Sequence, residues 1–284
     1  MANNCPICDT ESVLAAKLQA GTILQCPACY WAFSQDMKIT PFEKHDLDED
    51  KRNEYLAIVQ KASLYSDLSR EGDKVLDINS GDGTLLGWYL KGPVTVGVEP
   101  NAALMKTALN QHRVDVPVIK EFSAEAVSHV GKFKIITVVD VFQNFNPKAL
   151  KDLGDLLSDT GVIVLQVPYL LNLVKDSKDL PCKNYFLVFT LRHLFTTSGL
   201  TLQGVEVIKQ NVRAYGTKPN FKMFASNDYE SKLKLYTTMS VAIMEELHSR
   251  FDTIAPYQTL EEKIRENRWE ARDGIPVYQP PPKP

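Results

Sequence analysis

No stretch of the chain approaches the roughly 20 consecutive apolar residues that a membrane-spanning helix needs, so no membrane association is expected. Neither sign of charge dominates. Lys and Arg number 32 against 35 Asp and Glu, a formal net charge of −3. That balance withholds the general electrostatic grip that nucleic acid or anionic lipid requires, and no nucleic-acid partner is expected. The opening Met-Ala-Asn-Asn-Cys-Pro has neither a basic n-region nor an apolar h-region, and a cytoplasmic location is expected. Cysteine is scarce, with five in 284 residues. What remains is an ordinary globular composition, 44% apolar and 24% charged. The length suits one large domain with a small satellite, or two modest domains.

Four of the five cysteines form two C-x-x-C pairs, Cys5-Pro6-Ile7-Cys8 and Cys26-Pro27-Ala28-Cys29, separated by 17 residues. Two residues between thiolates let one tight turn aim both at the same ion, and Zn²⁺ takes four soft ligands tetrahedrally. Val13, Leu14, Leu18, Ile23 and Leu24 lie between the pairs and read as short strands of a ribbon, with Gly21-Thr22 in a turn. Disulfides are the rival, but nothing points to export, and cytosolic thiols stay reduced. Structural zinc on Cys5, Cys8, Cys26 and Cys29 is therefore expected. The ribbon reads as a cap that docks on the main domain through Tyr30, Trp31 and Phe33. The alternative, a nucleic-acid finger, lacks a basic stripe, since residues 1–40 hold only Lys17 and Lys38 against Asp9, Glu11 and Asp36. Cys182 stands alone, with no His near it in sequence, and reads as an inert thiol.

A charged connector over 36–54 runs into a helix over Tyr55 to Leu68, after which strands and helices alternate. Strands are expected at Lys74 to Ile78, Val94 to Val98, Phe133 to Val141, Val162 to Val167, Leu202 to Ile208 and Val212 to Tyr215. Helices are expected at Thr84 to Leu90, Ala102 to Gln111, Pro147 to Leu157 and Leu191 to Thr197. Continuous apolar strands in such alternation mark a parallel sheet covered on both faces. Beyond Asn227, Leu233, Tyr236, Met239, Ile243, Leu247 and Phe251 recur at helical spacing. This 227–254 helix is expected to pack on the domain or on a second copy, as a homodimer or with an assembly partner. The Pro280-Pro281-Pro282-Lys283-Pro284 tail is polyproline-like. The expected organisation is a zinc ribbon over 1–40, a linker and helix over 41–73, a ligand-binding domain over 74–226, and a helix with a proline-rich tail over 227–284.

The informative stretch is Val75-Leu76-Asp77-Ile78-Asn79-Ser80-Gly81-Asp82-Gly83-Thr84-Leu85-Leu86, a strand entering a glycine-bearing turn. A second strand ends at Gly97-Val98-Glu99, an acid 22 residues beyond Asp77 and placed to accept both hydroxyls of a ribose. A dinucleotide needs a third glycine, but Leu86 stands there. An acid closing the first strand would also repel a pyrophosphate. Asp77 suits a ligand with a cationic middle, such as the ammonium and sulfonium of S-adenosylmethionine.

With these residues the sequence resembles class I S-adenosylmethionine-dependent methyltransferases over roughly Lys74 to Tyr215. More narrowly, Asp82-Gly83-Thr84-Leu85-Leu86 and Gly97-Val98-Glu99-Pro100 are similar to zinc-ribbon sugar C-methyltransferases. Val167-Pro168-Tyr169 and Asn211-Val212-Arg213-Ala214-Tyr215 echo them too. The resemblance implies an α/β fold with a doubly wound, mostly parallel Rossmann-like sheet preceded by the ribbon. It implies that Asp77, Asn79, Gly81 and Gly83 lie along the methionine moiety and that Glu99 holds the ribose. Pro100, Asn101, Ser123, Ala124 and Glu125 would flank the adenine, and Asp140 and Phe142 would form the rim where methyl donor meets acceptor. The sequence departs from the family pattern in three places. Asn79 replaces a glycine, Asn144 replaces a common His, and Leu180-Pro181-Cys182 replaces an H-E-H cluster that would supply a base. The expectation is methyl transfer to a small-molecule acceptor, a saccharide or related metabolite, with His193 and Tyr185 as catalytic candidates. A non-catalytic structural or assembly protein is the alternative.

Overall fold

The computed structural model describes residues 4–17, 21–29, 31–34, 49–66, 68, 72–89, 92–169, 182–208, 211–221, 269–272 and 275–278. The expected 227–254 helix and proline tail, with Leu18, Tyr30 and Leu180-Pro181, lie outside these. The first elements are the ribbon strands β1 (Val13–Lys17), β2 (Thr22–Gln25) and β3 (Ala32–Ser34). Helix α1 (Glu49–Ser66), β4 (Lys74–Ile78), β5 (Val94–Val98), α2 (Ala102–Asn110) and β6 (Val116–Val118) follow. Then come α3 (Ala124–Ser128), β7 (Phe133–Val139), α4 (Ala149–Leu156) and β8 (Leu157–Pro168). Next are β9 (Asn184–Tyr185), α5 (Val188–Thr197), β10 (Thr201–Ile208) and β11 (Asn211–Thr217). A separate antiparallel pair, β12 (Trp269–Arg272) and β13 (Ile275–Tyr278), closes the described chain.

Seven strands form one sheet in the order β10-β11-β8-β7-β4-β5-β6. The five from β6 to β8 are mutually parallel, while β11 runs antiparallel to both β8 and β10. Successive side chains on a strand point to opposite faces, so each apolar run feeds two cores. Val75, Ile135, Val162 and Val164 pack with Ile58 and Ala62 of α1 and Met105 and Ala108 of α2. Leu76, Ile136, Val138, Ile163 and Leu165 pack with α4, α5 and the ribbon on the other side. The expected doubly wound sheet is present. Among the described residues no helix is long and apolar enough to cross a membrane.

The chain leaves β4 toward β5 and β6, then returns to build β7 and β8 on the opposite side. This makes the carboxyl ends of β4 and β7 the topological switch point, where such sheets hold ligands. One expected element is replaced there. Instead of a helix over Thr84 to Leu90, the chain makes a single 3-10 turn at Leu86–Trp88. Asp82 accepts from the Thr84 N–H and O–H and from Arg113, Gly83 is left-handed at φ 72°, and Gly87 interrupts the run. Gly and the aromatic pair Trp88-Tyr89 are weak helix formers. The helix N-terminus that the sequence placed at this loop is therefore absent.

The ribbon is part of the same body. β3 pairs antiparallel with β9 (Ala32 with Tyr185, Phe33 with Asn184), giving a four-stranded sheet β1-β2-β3-β9. Trp31 is fully buried and meets Phe186 edge-on, with centroids 5.0 Å apart. Trp31 and Phe33 thus make the contact expected of a docked cap, through a shared sheet edge as well as side chains.

Candidate functional site

The four ribbon cysteines bring their sulfurs within 4.8 Å of one another. Sγ of Cys8 lies 3.4 Å from that of Cys26 and 3.7 Å from that of Cys29, and Cys5 lies 3.5 Å from Cys29. A disulfide would need about 2.05 Å. A tetrahedron with metal–sulfur bonds of ~2.3 Å has edges of about 3.8 Å. The backbone N–H groups of Ile7, Ala28 and Cys29 point at Cys5 and Cys26 sulfurs. Crowding sets the thiols against one another. Hydrogen bonds with Cys26, Cys29 and Cys5 hold the Cys8 thiol far below its ordinary range, and those with Cys26, Cys5 and Cys8 push Cys29 far above it. Four thiols whose sulfurs lie within 4.8 Å of one another are a donor set that fits a tetrahedral zinc ion. Cys182 is buried, and desolvation pushes its thiol to about 11, as befits an inert side chain.

At the switch point, the two acids sit on adjacent parallel strands. Asp77 is 4% exposed and takes the Thr137 hydroxyl on Oδ1 at 2.6 Å. Burial, and secondarily the charge of Glu99, push its carboxyl up to about 7, against the pull of the Thr137 bond. Glu99 is 5% exposed. Its Oε2 accepts from the Gly81 N–H at 2.9 Å and its Oε1 from the Asn101 N–H at 2.8 Å. Each oxygen retains a second lone pair. Between the acids, Asn79, Gly81 and Gly83 all take left-handed backbone, with φ 58°, 58° and 72°. Asn79 thus does the work of the glycine it replaces, because Asn visits this region more readily than other side chains. A Cβ added at Gly81 would meet nothing within 4 Å, so the space beside the loop at this residue is open. Asn101 caps α2, accepting from Ala103 and Leu104, and Pro100 is exposed beside it. Ser123 caps α3, with Ala124 half-buried and Glu125 exposed.

Asp140 ends β7 in a left-handed conformation, φ 59°. Lys51 of α1 donates to its Oδ2 at 2.6 Å, and Gln166 and Asn211 donate to Oδ1 at 3.1 and 3.3 Å. Lys51 also pairs with Glu54 at 3.3 Å. Burial alone would lower the Lys51 ammonium, but the Asp140 and Glu54 carboxylates outweigh it and hold the group above its ordinary value. Arg213, 1% exposed, donates to Gln166 at 2.9 Å and faces Glu54 and Glu206 at 3.6 Å. Burial and then the charges of Asp77, Asp140, Glu54 and Asp82 push the Tyr55 phenol up, so it remains a donor. Phe142 is fully buried in the loop after Asp140. Beside it Gln143 gives Nε2–H to the Asp140 carbonyl at 2.6 Å, while its Oε1, and Oδ1 of Asn144, are buried without partners.

Lys51 and Glu54 were missed because the connector was carried to residue 54, and Tyr55 because it was read only as the first residue of the helix. The signal was present: the buried stripe Ile58, Val59, Ala62 and Ser66 of α1, continued back by helical steps, runs through Tyr55, Glu54 and Lys51.

A family model described as a methyltransferase domain matches residues 47–205, more than half of the chain. The chain belongs to the methyltransferase family. No curated protein sequence matches it. Among solved structures, the methyltransferase is similar to an S-adenosylmethionine-dependent methyltransferase from Clostridium acetobutylicum, at 13% identity over 61% of this chain and 93% of that one, TM-score 0.48. It is also similar to the magnesium protoporphyrin IX methyltransferase of Synechocystis with bound S-adenosylhomocysteine, at 13% identity over 62% and 90%, TM-score 0.47. A TehB-like S-adenosylmethionine-dependent methyltransferase from Corynebacterium glutamicum is similar at 17% identity over 60% and 95%, TM-score 0.42.

The matched segment takes in α1, both acids and Asp140, while Glu206, Asn211, Arg213 and the cysteine ribbon lie outside it. The two catalytic candidates of the methyltransferase lie on α5 and in β9. His193 sits on α5, and burial lowers its imidazole while the ionised group that acts back on it is Cys8. Its Nε2 is buried without a hydrogen-bond partner. Tyr185 is 1% exposed in β9, sealed in the seam between ribbon and core. Both were chosen as the nearest titratable side chains by sequence. The β3–β9 pairing joins Tyr185 to Ala32 of the ribbon.

Proposed function

We propose that the chain is an S-adenosylmethionine-dependent methyltransferase acting on a small hydroxyl-bearing or amine-bearing molecule, a saccharide or related metabolite, with structural zinc in its ribbon. The observation that carries this reading is the pair of buried carboxylates, Asp77 and Glu99, at neighbouring strand ends on either side of an open left-handed loop. S-adenosylmethionine, when bound, supplies an electrophilic methyl group on a sulfonium. Glu99 would accept the ribose hydroxyls through the lone pairs left by Gly81 and Asn101. Asp77, near its protonation midpoint at neutral pH, ionises in favour of a neighbouring cation. Pro100, Asn101 and Ser123 to Glu125 would border the adenine. In-line displacement needs alignment above all, and the rim offers acceptors to orient a donor-rich substrate: Asp140, and the unpartnered Gln143 Oε1 and Asn144 Oδ1. The four cysteines would hold zinc in a closed set that stabilises folding and leaves no position for substrate.

Titration calorimetry with S-adenosylmethionine and S-adenosylhomocysteine tests the reading. The expected result is micromolar binding that disappears in Asp77→Ala and Glu99→Ala. Absence of binding at millimolar ligand would instead mark a non-catalytic relative that keeps the fold.

A further inference from the structure

One buried amide ties the ribbon to the rim by hydrogen bonds. The Cys26 N–H donates to the Trp31 carbonyl at 2.9 Å, anchoring Trp31 to the cysteine knuckle. The Trp31 indole N–H donates to Asn184 Oδ1 at 3.1 Å. Asn184 Nδ2 in turn donates to two carbonyls of the loop after β7, Gln143 at 3.0 Å and Phe145 at 2.8 Å. Gln143 then holds the Asp140 carbonyl. Asn184 is 4% exposed, so its amide cannot exchange these partners for water. An aromatic file runs alongside. Trp31 meets Phe186, Phe186 lies 6.1 Å from Phe142, Phe142 lies 5.9 Å from Phe145, and Phe145 stacks on Phe122 at 6.2 Å. Phe122 immediately precedes Ser123. Both routes begin at the metal-type cluster and end on residues that border the crevice.

We propose that Asn184 is a positioning residue that transmits the fold of the ribbon to the rim loop, so that the methyl-transfer site is shaped only when the cysteine cluster is loaded. The proposal rests on the functional reading above for what the rim does. A structure in which the ribbon merely capped the domain would need packing from Trp31, but no polar tie from the seam into the loop that carries Asp140. Here both donors of a buried amide are spent on that loop, and its acceptor is spent on the ribbon.

The test uses the full-length, zinc-loaded protein, before and after chelation, and the Asn184→Ala, Asn184→Asp and Trp31→Phe variants. The first readout is hydrogen exchange of the Asn144 and Phe145 amides, which donate to Val141 and Phe142 carbonyls. The second is affinity for S-adenosylhomocysteine, and the third is zinc content. Asn184→Ala is expected to keep its zinc, exchange the rim amides faster, and bind S-adenosylhomocysteine roughly tenfold more weakly, the order that two buried hydrogen bonds supply. Asn184→Asp, which sets a carboxylate against two carbonyls, is expected to match it. Trp31→Phe keeps the ring and loses one donor, so it falls between. Chelation of the wild type reproduces the Asn184→Ala pattern while the β4 and β5 amides stay protected. Unchanged rim exchange after chelation and in Asn184→Ala overturns the link. Faster exchange with unchanged affinity overturns the positioning role and leaves Asn184 as seam packing only. A wild type that binds neither cofactor form overturns the functional reading, and the exchange readout then still judges the link by itself.

Discussion

Replacing Asp77 by Asn isolates the charge on which the site depends. Asp77 is buried, and its carboxyl is pushed from an ordinary 3.8 up to about 7. Below about pH 4 both folded and unfolded chains carry the proton. As pH rises above that, the unfolded chain releases it while the folded chain holds it, so Asp77 erodes stability until the folded carboxyl also ionises near neutrality. At 1.36 kcal/mol per pH unit the gap amounts to roughly 4 kcal/mol once both forms are ionised. Asn has the shape of the protonated acid, and its amide oxygen can keep the bond that Thr137 donates at 2.6 Å. Asp77→Asn is therefore expected to be more stable than wild type, with the advantage growing by roughly 2 kcal/mol between about pH 5.5 and about pH 8 and then levelling. Urea unfolding of both proteins across that range reads the difference directly. The same variant is expected to lose affinity for S-adenosylmethionine, which separates stabilisation from function. A stability difference that does not change with pH would refute the electrostatic reasoning.

Backbone conformation supplies a second prediction. Asn79→Gly should leave the fold stable, whereas Asn79→Ala, held at φ 58°, should cost about 1–2 kcal/mol in thermal or urea melts. At Gly216 a Cβ would lie 1.9 Å from a Phe195 ring carbon, and that ring is fully buried. Gly216→Ala is expected to destabilise by about 1–3 kcal/mol or more, and an unchanged melting temperature would contradict the packing described. Purified protein should carry zinc that a metallochromic dye detects on thiol modification. Cys26→Ser should lose it and with it the protection of the β2–β3 amides.

The strands of the core were legible because a parallel sheet buried on both faces writes itself as continuous apolar runs, and Lys74 to Ile78 and Val94 to Val98 match their strands residue for residue. The two acids were legible because strand ends at a switch point are fixed by those runs. The 3-10 turn was not, since it follows from the Asp82–Arg113 bond, made with a residue 31 positions away. Nor was the ribbon seam: β9 is only two residues long, and nothing local distinguishes Asn184-Tyr185 from a loop until Ala32 and Phe33 pair with it. The same nonlocal pairing explains why Tyr185, chosen by its place in sequence, lies in the seam with the ribbon. What sequence order conceals is which charges meet.

That last point bears on the choice of ligand. The described side chains around the crevice include the carboxyls of Asp77, Glu99, Glu54, Asp82 and Asp140, and the nearby cations are already committed. Arg113 holds Asp82 at 2.9 Å and Thr84 at 2.7 Å. Lys51 holds Asp140, and Arg213 is buried against Gln166. No α-helix starts at the glycine loop, so the partial positive charge that usually greets a pyrophosphate is missing as well. A diphosphate would have to pull Lys51 from Asp140, leaving a half-buried carboxylate unpaired at the moment another anion arrived, and such an uncompensated charge costs several kcal/mol. A sulfonium and an ammonium face no such exchange, because they bring positive charge to a crevice whose carboxylates outnumber its cations.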